Sequence, residues 1–294
     1  MNGRHLEPLG AGAGPIEPFL LRCGQEGFSG ILQADGSPGG NVRFSSGLVI
    51  SAFSPAAPGP ESLLLRSGRI TEEDWTRAYS AGAPTGHLAD ELVKISSLGV
   101  AGLESVCLSA VFDAVFAIAL CGVGDVRLDP AGPGDLAPPL PAQPGVDPQR
   151  LVRETVRRLA TTATWRPMNL TFRSRPVATA AFSLPVISST ELRRAILKHA
   201  NGRRTARDIA FALGRGLFAV LTEIAHMVED GLLTLDRGRR APEPPAAPER
   251  AELPQRRPGT SKVVETLPAT GKTSLPRRLL GLRGIHPPSG DEEV

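Results

Sequence analysis

Aromatic side chains are scarce in this 294-residue chain: Phe, Tyr and Trp make up 4% of it, with one Tyr and two Trp. Gly fills 32 positions and Pro 28, so the composition excludes a chain packed from end to end and assigns part of its length to loops or coreless segments. Cysteine is also rare. Cys23, Cys107 and Cys121 form no CxxC pair and no metal-ligand spacing, which excludes a disulfide scaffold or a cysteine zinc site and fits a reduced cytoplasmic protein. The histidines His5, His87, His199, His226 and His286 are scattered, with no HExxH, no GxSxG and no Cys–His pair. No convergent polar set for catalysis is visible, so no enzyme activity, cofactor or metal is expected. Residues 1–18 lack the charged-then-apolar pattern of a secretory signal, so export is not expected either.

Lysine occurs only at Lys94, Lys198, Lys262 and Lys272; the remaining cations are arginine, a bias of GC-rich coding rather than of function. The net charge of +3 conceals an asymmetry: residues 1–149 carry −8, residues 150–240 carry +10 and residues 241–294 carry +1. An acidic first part and a basic second part fit docking on each other, on nucleic acid or on an acidic protein.

Three patterns are set aside. Leu267-Pro268-Ala269-Thr270-Gly271 spells a sortase pentapeptide but lacks the following apolar stretch, and Gly271-Lys272-Thr273 has Thr266 where a phosphate-binding loop needs its first glycine. Leu98 to Val123 is nearly all apolar, yet Glu104 and Asp113 lie within it, and a carboxylate near a bilayer centre costs about 2.5 kcal/mol or more; a buried helix is expected, not a membrane span.

Along the first part, a short helix near Pro18–Cys23 precedes alternating runs at Phe28–Gln33, Asn41–Phe44 and Leu48–Phe53, separated by Gly-rich turns, which predict three antiparallel strands. Helices are predicted at Glu61–Arg66, at Glu72–Tyr79 with Thr71 as N-cap, at His87–Ser96 and at Gly102–Leu120, with Asp125–Leu128 returning as an edge strand. Asp113 on the apolar helix is expected to bond a backbone group or a buried arginine. Glu72, Glu73 and Asp74 suit a helix start better than a carboxylate pair for catalysis. The first part is thus an α+β module over residues 16–130, behind a disordered N-terminus at 1–15.

Residues 131–147 are Pro- and Gly-rich and read as a linker that does not pack. Asp147 caps an amphipathic helix, Pro148–Thr161, with Leu151, Val152, Val156 and Leu159 inward and Arg150, Arg153, Arg157 and Arg158 outward. Trp165–Ser188 reads as extended or irregular. Ser189 or Thr190 caps Glu191–His199, Thr205 caps Ala206–Leu213, Leu217–Glu229 is a third helix, and Leu232–Leu235 is a strand. Behind the Arg-rich helix, three short helices and a strand make a winged-helix-like unit, so residues 148–236 read as a mainly helical, winged-helix-like domain. From 237 to 294 the chain reads as a disordered tail, with Arg277–Arg283 (RRLLGLR) as a basic-apolar island, either a docking peptide or plain solvated tail.

The first module resembles the PATAN domain, an α+β module of bacterial signalling proteins. The resemblance is carried by Gly27–Leu32 (GFSGIL), Val42–Phe44, Ser46–Ala52 (SGLVISA) and Leu64–Thr71 (LLRSGRIT), and it covers roughly residues 18–130. Leu151–Trp165 is similar to the Arg-rich helix ending in Trp of such proteins, with Thr162, Ala163 and Thr164 where acidic residues are usual. The stretch from Ile196 through Asn201–Ala210 and Leu213–Gly214 to Leu233 is like their winged-helix end. The resemblance implies a role in signalling or gene regulation and no catalytic residues.

Two readings of function follow. Arg193, Arg194, Arg203, Arg204, Arg207 and Arg215 cluster around the helix-turn-helix as phosphate contacts would, so a DNA-binding transcriptional regulator is one reading. The third helix, however, leaves Phe218, Ala219, Thr222, Glu223, His226 and Glu229 outward, with no Lys or Arg to read bases. The favoured reading is therefore a non-enzymatic signalling adaptor whose surfaces, including Phe218 and His226, meet other signalling proteins. Phe218 and Met227 are either exposed contacts of that surface or extra core beneath Trp165. No membrane partner is expected, and a homo-oligomer assembled through the helix around Asp113 is a further alternative.

Overall fold

The computed structural model describes residues 4–6, 15–179 and 190–236. The tail at 237–294, with the Arg277–Arg283 island and the Leu267–Gly271 pentapeptide, lies outside the described residues. Within them the chain is α+β, with a small antiparallel sheet and several helices.

The sheet has five strands, β1 (Arg4–Leu6), β2 (Gly30–Ala34), β3 (Gly40–Ser45), β4 (Leu48–Phe53) and β5 (Val126–Pro130), ordered β1-β5-β2-β3-β4 and antiparallel throughout. Period-two alternation sends Leu32, Ala34, Val42, Phe44, Val126 and Leu128 to one buried face. Leu32 stands opposite Val42 on one side and Leu128 on the other. Ser46 and Gly47, both at positive φ (48° and 79°), close β3 onto β4 in a two-residue hairpin that matches the strand twist. Two expectations are corrected here. Residues 1–15 are not wholly without structure, because Arg4–Leu6 pairs with β5. For the same reason β5 is not an edge strand.

The edges are β1 and β4, and the β4 edge explains a third correction: 131–147 does not behave as a free linker. Val146 exchanges both backbone hydrogen bonds with Val49 (2.9 and 2.8 Å), and the Ala142 amide donates to the Ile50 carbonyl (2.7 Å). Leu140, Ala142 and Val146 are buried with the sheet core. An open strand edge offers unpaired backbone donors and acceptors, and this segment satisfies them. Its prolines prevent a regular strand, not packing.

Five helices cover the sheet: α1 (Glu17–Gln25), α2 (Pro60–Arg66), α3 (Glu72–Gly82), α4 (Leu88–Ile95) and α5 (Val100–Leu120). Thr71 Oγ1 accepts from the Asp74 amide at 3.0 Å, the cap expected for α3. Helix α5 is apolar over most of its surface, and every residue from Ala110 to Ile118 is buried. It is long and apolar enough to cross a membrane, but 67% of that stretch is buried in the fold. Leu103, Val106, Val111, Val115 and Ile118 join the sheet core, whereas Phe116 and Ala117 join a second core.

That second core belongs to α6 (Pro148–Ala163), a 3-10 turn at Arg166–Met168, β6 (Arg175–Ala178), α7 (Glu191–His199), α8 (Ala206–Leu213), α9 (Leu217–Glu229) and β7 (Leu233–Asp236). Strands β6 and β7 pair antiparallel. Ile196, Ile209, Leu217, Val220, Leu221, Ile224 and Met227 fill the core, each contributing about 1.5–3 kcal/mol by leaving water. Ala56 and Ala57 from the loop after β4 join it too, so the two parts share buried surface and residues 1–236 fall within one compact unit.

Three details depart from expectation. On α6 the buried face runs Leu151, Thr155, Arg158 (i, i+4, i+7), so Val156 is 51% exposed and Arg158 points inward. The Trp165–Ser188 stretch contains β6, and Trp165 and Phe172 are buried. Met227 is core, not contact surface.

Candidate functional site

Two places where the first and second parts meet combine unusual chemistry with defined geometry. The first is a buried ion pair. Arg158 Nη1 donates to Asp113 Oδ1 at 2.7 Å, with the two side chains 14% and 5% exposed. The same guanidinium lies over the Phe218 ring at 4.9 Å and the Phe112 ring at 5.6 Å. Phe218 in turn meets Phe116 edge-on at 5.2 Å and stacks on Trp165 at 6.3 Å. Glu154 completes the cluster, accepting from Arg157 through two bonds (2.8 and 2.7 Å) and from Arg158 Nε at 2.8 Å. Hydrogen bonding from Arg157 above all, opposed in part by burial and aided by Arg158, holds Glu154 down at about 2.

Asp113 also serves α9. Gly216 is the N-cap of that helix and has no side chain to offer; Asp113 Oδ2 takes the space, 2.3 Å from where a Cβ at 216 would stand. Oδ2 is aimed at the Leu217 and Phe218 amides without a hydrogen bond of good geometry, so its contribution is charge set against the helix dipole. Burial pushes the Asp113 carboxyl above the usual carboxylate range, while Arg158 and the α9 amides pull it back. A carboxylate so enclosed joins α5, α6 and α9. Asp113 itself, its side chain 5% exposed, faces the interior of the fold.

The second place is an apolar cleft of about 830 Å³ between β4, α2, α3 and α5 on one side and α8 on the other. Phe53 (56% exposed) and Tyr79 (48% exposed) stand in its wall with Trp75 and Phe211. Trp75 and Tyr79 stack with centroids 6.2 Å apart. Its sole charged lining residues are Glu61 and Arg66. Gly214 sets the approach of α8: at φ +57° it ends that helix in the left-handed region, and a Cβ there would lie 2.4 Å from the Ser67 amide nitrogen of the α2 turn. Cys107 is in the floor, its thiol pushed up to about 11 by burial, which leaves it unreactive. A concave, mostly apolar opening of this size with few polar groups has the character of a binding site.

The residues expected to touch a partner or DNA are dispersed. Arg193 is committed internally, to Glu223 at 2.7 Å and Asp230 at 2.9 Å. Arg194 is exposed on α7. Arg203 and Arg204 are exposed in the α7–α8 turn, where Arg204 Nη1 lies against His199 Nδ1. Burial first, then Arg204 and Lys198, hold the His199 imidazole below its usual range. Arg207 is exposed on α8, over the Phe211 ring at 5.4 Å, and lines a shallow hollow of about 340 Å³ with Phe172 and Asp208. Arg215 is half-buried in the α8–α9 turn, and His226 is exposed on α9. Phe218 does not face outward, as its contacts with Phe116 and Trp165 require. Arg203, Arg204 and Arg207 are thus near one another, apart from Arg193, Phe218 and His226.

No protein-family model, curated protein or solved structure matches the chain. Among the described residues no three His, Cys, Asp or Glu side chains converge as metal ligands. Sequence reasoning missed the cleft altogether, although Trp75 and Tyr79, one helical turn apart on an otherwise polar helix, were a visible signal. For Asp113 it anticipated a backbone group or a buried arginine, and the partner is Arg158.

Proposed function

We propose that this chain is a non-enzymatic regulatory adaptor of bacterial signalling type, working in the cytoplasm through protein–protein contacts, with a PATAN-like first module and a winged-helix-like second module fused into one unit. The observation that carries the reading is the closure of the α9 N-terminus. A helix-turn-helix reads bases with the first residues of its recognition helix. Here Leu217 is buried and Phe218 is packed among Phe116, Trp165 and Arg158, with the Asp113 carboxylate beside them. The exposed positions that remain on α9, Ala219, His226 and Glu229, include no Lys or Arg. The aromatic cleft, by contrast, is open and suits an apolar side chain or helix face of another protein.

The decisive experiment pairs DNA selection with affinity capture. Purified full chain is expected to retain mixed DNA only through salt-sensitive, sequence-independent attraction; a footprint at a defined promoter that survives moderate salt sinks the adaptor reading. A second reading is kept alive by one observation. Arg194, Arg203, Arg204 and Arg207 are exposed and have no carboxylate partner among the described residues, as phosphate contacts of a DNA-bound regulator would be. In that case Arg203→Ala with Arg207→Ala abolishes promoter binding while the fold survives.

A further inference from the structure

Phe53, Trp75, Tyr79 and Phe211 all reach the cleft, and two of them carry a polar hydrogen as well as a ring face. On α3 the hydroxyls of Thr76 and Ser80 donate to the Glu72 and Thr76 carbonyls at 2.8 Å each. The Trp75 indole N–H and the Tyr79 hydroxyl, on the same helix, have no such partner among the described residues. A partner that covers these rings takes their donors out of water, so it must bring acceptors to them. Charge does not select the partner, because Glu61 and Arg66 are the charged residues of the lining and balance each other.

Two kinds of polypeptide commonly fill apolar grooves, and the unpaired donors separate them. An amphipathic helix uses its backbone N–H and C=O groups internally, so it would lay alkyl groups on Trp75 and Tyr79 and leave both donors stranded. A proline-rich segment in the polyproline II conformation has no internal hydrogen bonds, keeps its carbonyls free as acceptors, and is extended before it binds, so little ordering entropy opposes docking. Aromatic faces with unpaired donors and no net charge are its complement. The cleft already accommodates pyrrolidine rings: Pro138 and Pro139 belong to its lining, in the run Ala137–Pro141 (APPLP), which is neither helix nor strand and has Leu140 buried.

We propose that the cleft binds a neutral, proline-rich segment of another protein in the polyproline II conformation, with pyrrolidine rings against Trp75, Tyr79 and Phe211 and backbone carbonyls accepting from the Trp75 indole N–H and the Tyr79 hydroxyl. The proposal rests on the cleft being the partner-binding surface of the adaptor, and it names the class of partner.

Titration of the full chain into a fluorophore-labelled neutral peptide, acetyl-APPLPAPPLP-amide, followed by anisotropy, tests it. Saturable binding is expected with a dissociation constant on the order of 100 µM or below. Tyr79→Phe and Trp75→Phe keep a ring and remove a donor, and each should weaken binding about three- to tenfold. Tyr79→Ala, at an exposed position, should weaken it about tenfold or more, with circular dichroism verifying that the fold is kept in all three variants. A helix-forming peptide of equal length, with leucines at i, i+3, i+4 and i+7, should bind at least about tenfold more weakly.

No saturable binding of the proline-rich peptide up to about 1 mM overturns the proposal. Binding that none of the three variants weakens also overturns it, since the peptide would then sit elsewhere. Weakening by Tyr79→Ala alone, with both phenylalanine variants unchanged, removes the donors from recognition and overturns it as well. Equal or tighter binding of the helical peptide overturns it while leaving the adaptor reading in place. Dimerisation of the chain that excludes the peptide assigns the cleft to a second copy and overturns it too. A promoter footprint, read separately, would remove the adaptor reading without touching any of these outcomes.

Discussion

At one meeting point between the two parts, charge is buried; at the other, aromatic surface is exposed. Asp113 and Arg158 sit among Phe112, Phe116 and Phe218, whereas Phe53 and Tyr79 stand half in water. Each reverses the usual distribution of side chains, and such reversals are the informative ones. In the first, Asp113, Glu154, Arg157 and Arg158 are ion-paired with one another, although Asp113 Oδ2 makes no hydrogen bond, and the cluster ties α5 to α6 beside the start of α9. The second is not satisfied by the described residues, so it looks outward.

If that contrast is right, the largest effect belongs to the closed contact. Arg158→Ala strands a buried carboxylate and should lower unfolding stability by about 3–5 kcal/mol, read by urea denaturation as one shifted transition. Two separated transitions in the parent protein would break the idea of a shared core. Joint replacement by Asp113→Leu and Arg158→Met should recover most of the loss, leaving on the order of 1 kcal/mol for the missing charge at the start of α9. Next in size, Gly216→Ala drives a methyl into Asp113 Oδ2 and should cost about 1–3 kcal/mol, measurable as a fall in Tm.

A smaller effect follows pH. The Glu154 carboxyl is depressed to about 2 from its ordinary 4.5, so its stabilisation is present above about 4.5 and disappears as pH falls toward 2. Glu154→Gln should flatten the stability profile across that window, by on the order of 1 kcal/mol for a partly solvated pair; an unaltered acid limb in the variant assigns the loss to other carboxylates. The smallest effect on stability belongs to the open contact. Phe53→Ser or Tyr79→Ser should move unfolding by no more than about 0.5 kcal/mol yet remove capture of protein partners, and a large destabilisation would mean that the cleft is core.

Much of the secondary structure was legible because its signals are local. Thr71 and Thr205 announced α3 and α8 as N-caps, and in the fold Thr205 forms a full capping box with Asp208. Alternation exposed β2, β3 and β4. What stayed hidden depends on distant partners. Arg4–Leu6 has no pattern of its own and becomes a strand only beside β5. Pro176 disguised β6, and the prolines of 131–147 disguised a segment whose backbone closes the β4 edge. Arg158 looked like one more solvated arginine because periodicity ranks side chains by polarity, and only the Asp113 carboxylate turns α6 to bring it inward. The apolarity of α5 was visible, but its second burial partner was not. Charge alone singled out six arginines, which the fold disperses, and the cleft was missed because its walls come from five separate elements.

Helix α5 has sheet on one flank and the Phe116–Ala117 seam against the second core on another, so neither half of the chain owns it. Severing the backbone between residues 131 and 147 would therefore yield two fragments with raw, matching seams. Such pieces would be expected to seek each other out as a complementation pair, and substitutions on either flank of this one helix would have to be tolerated by both halves at once.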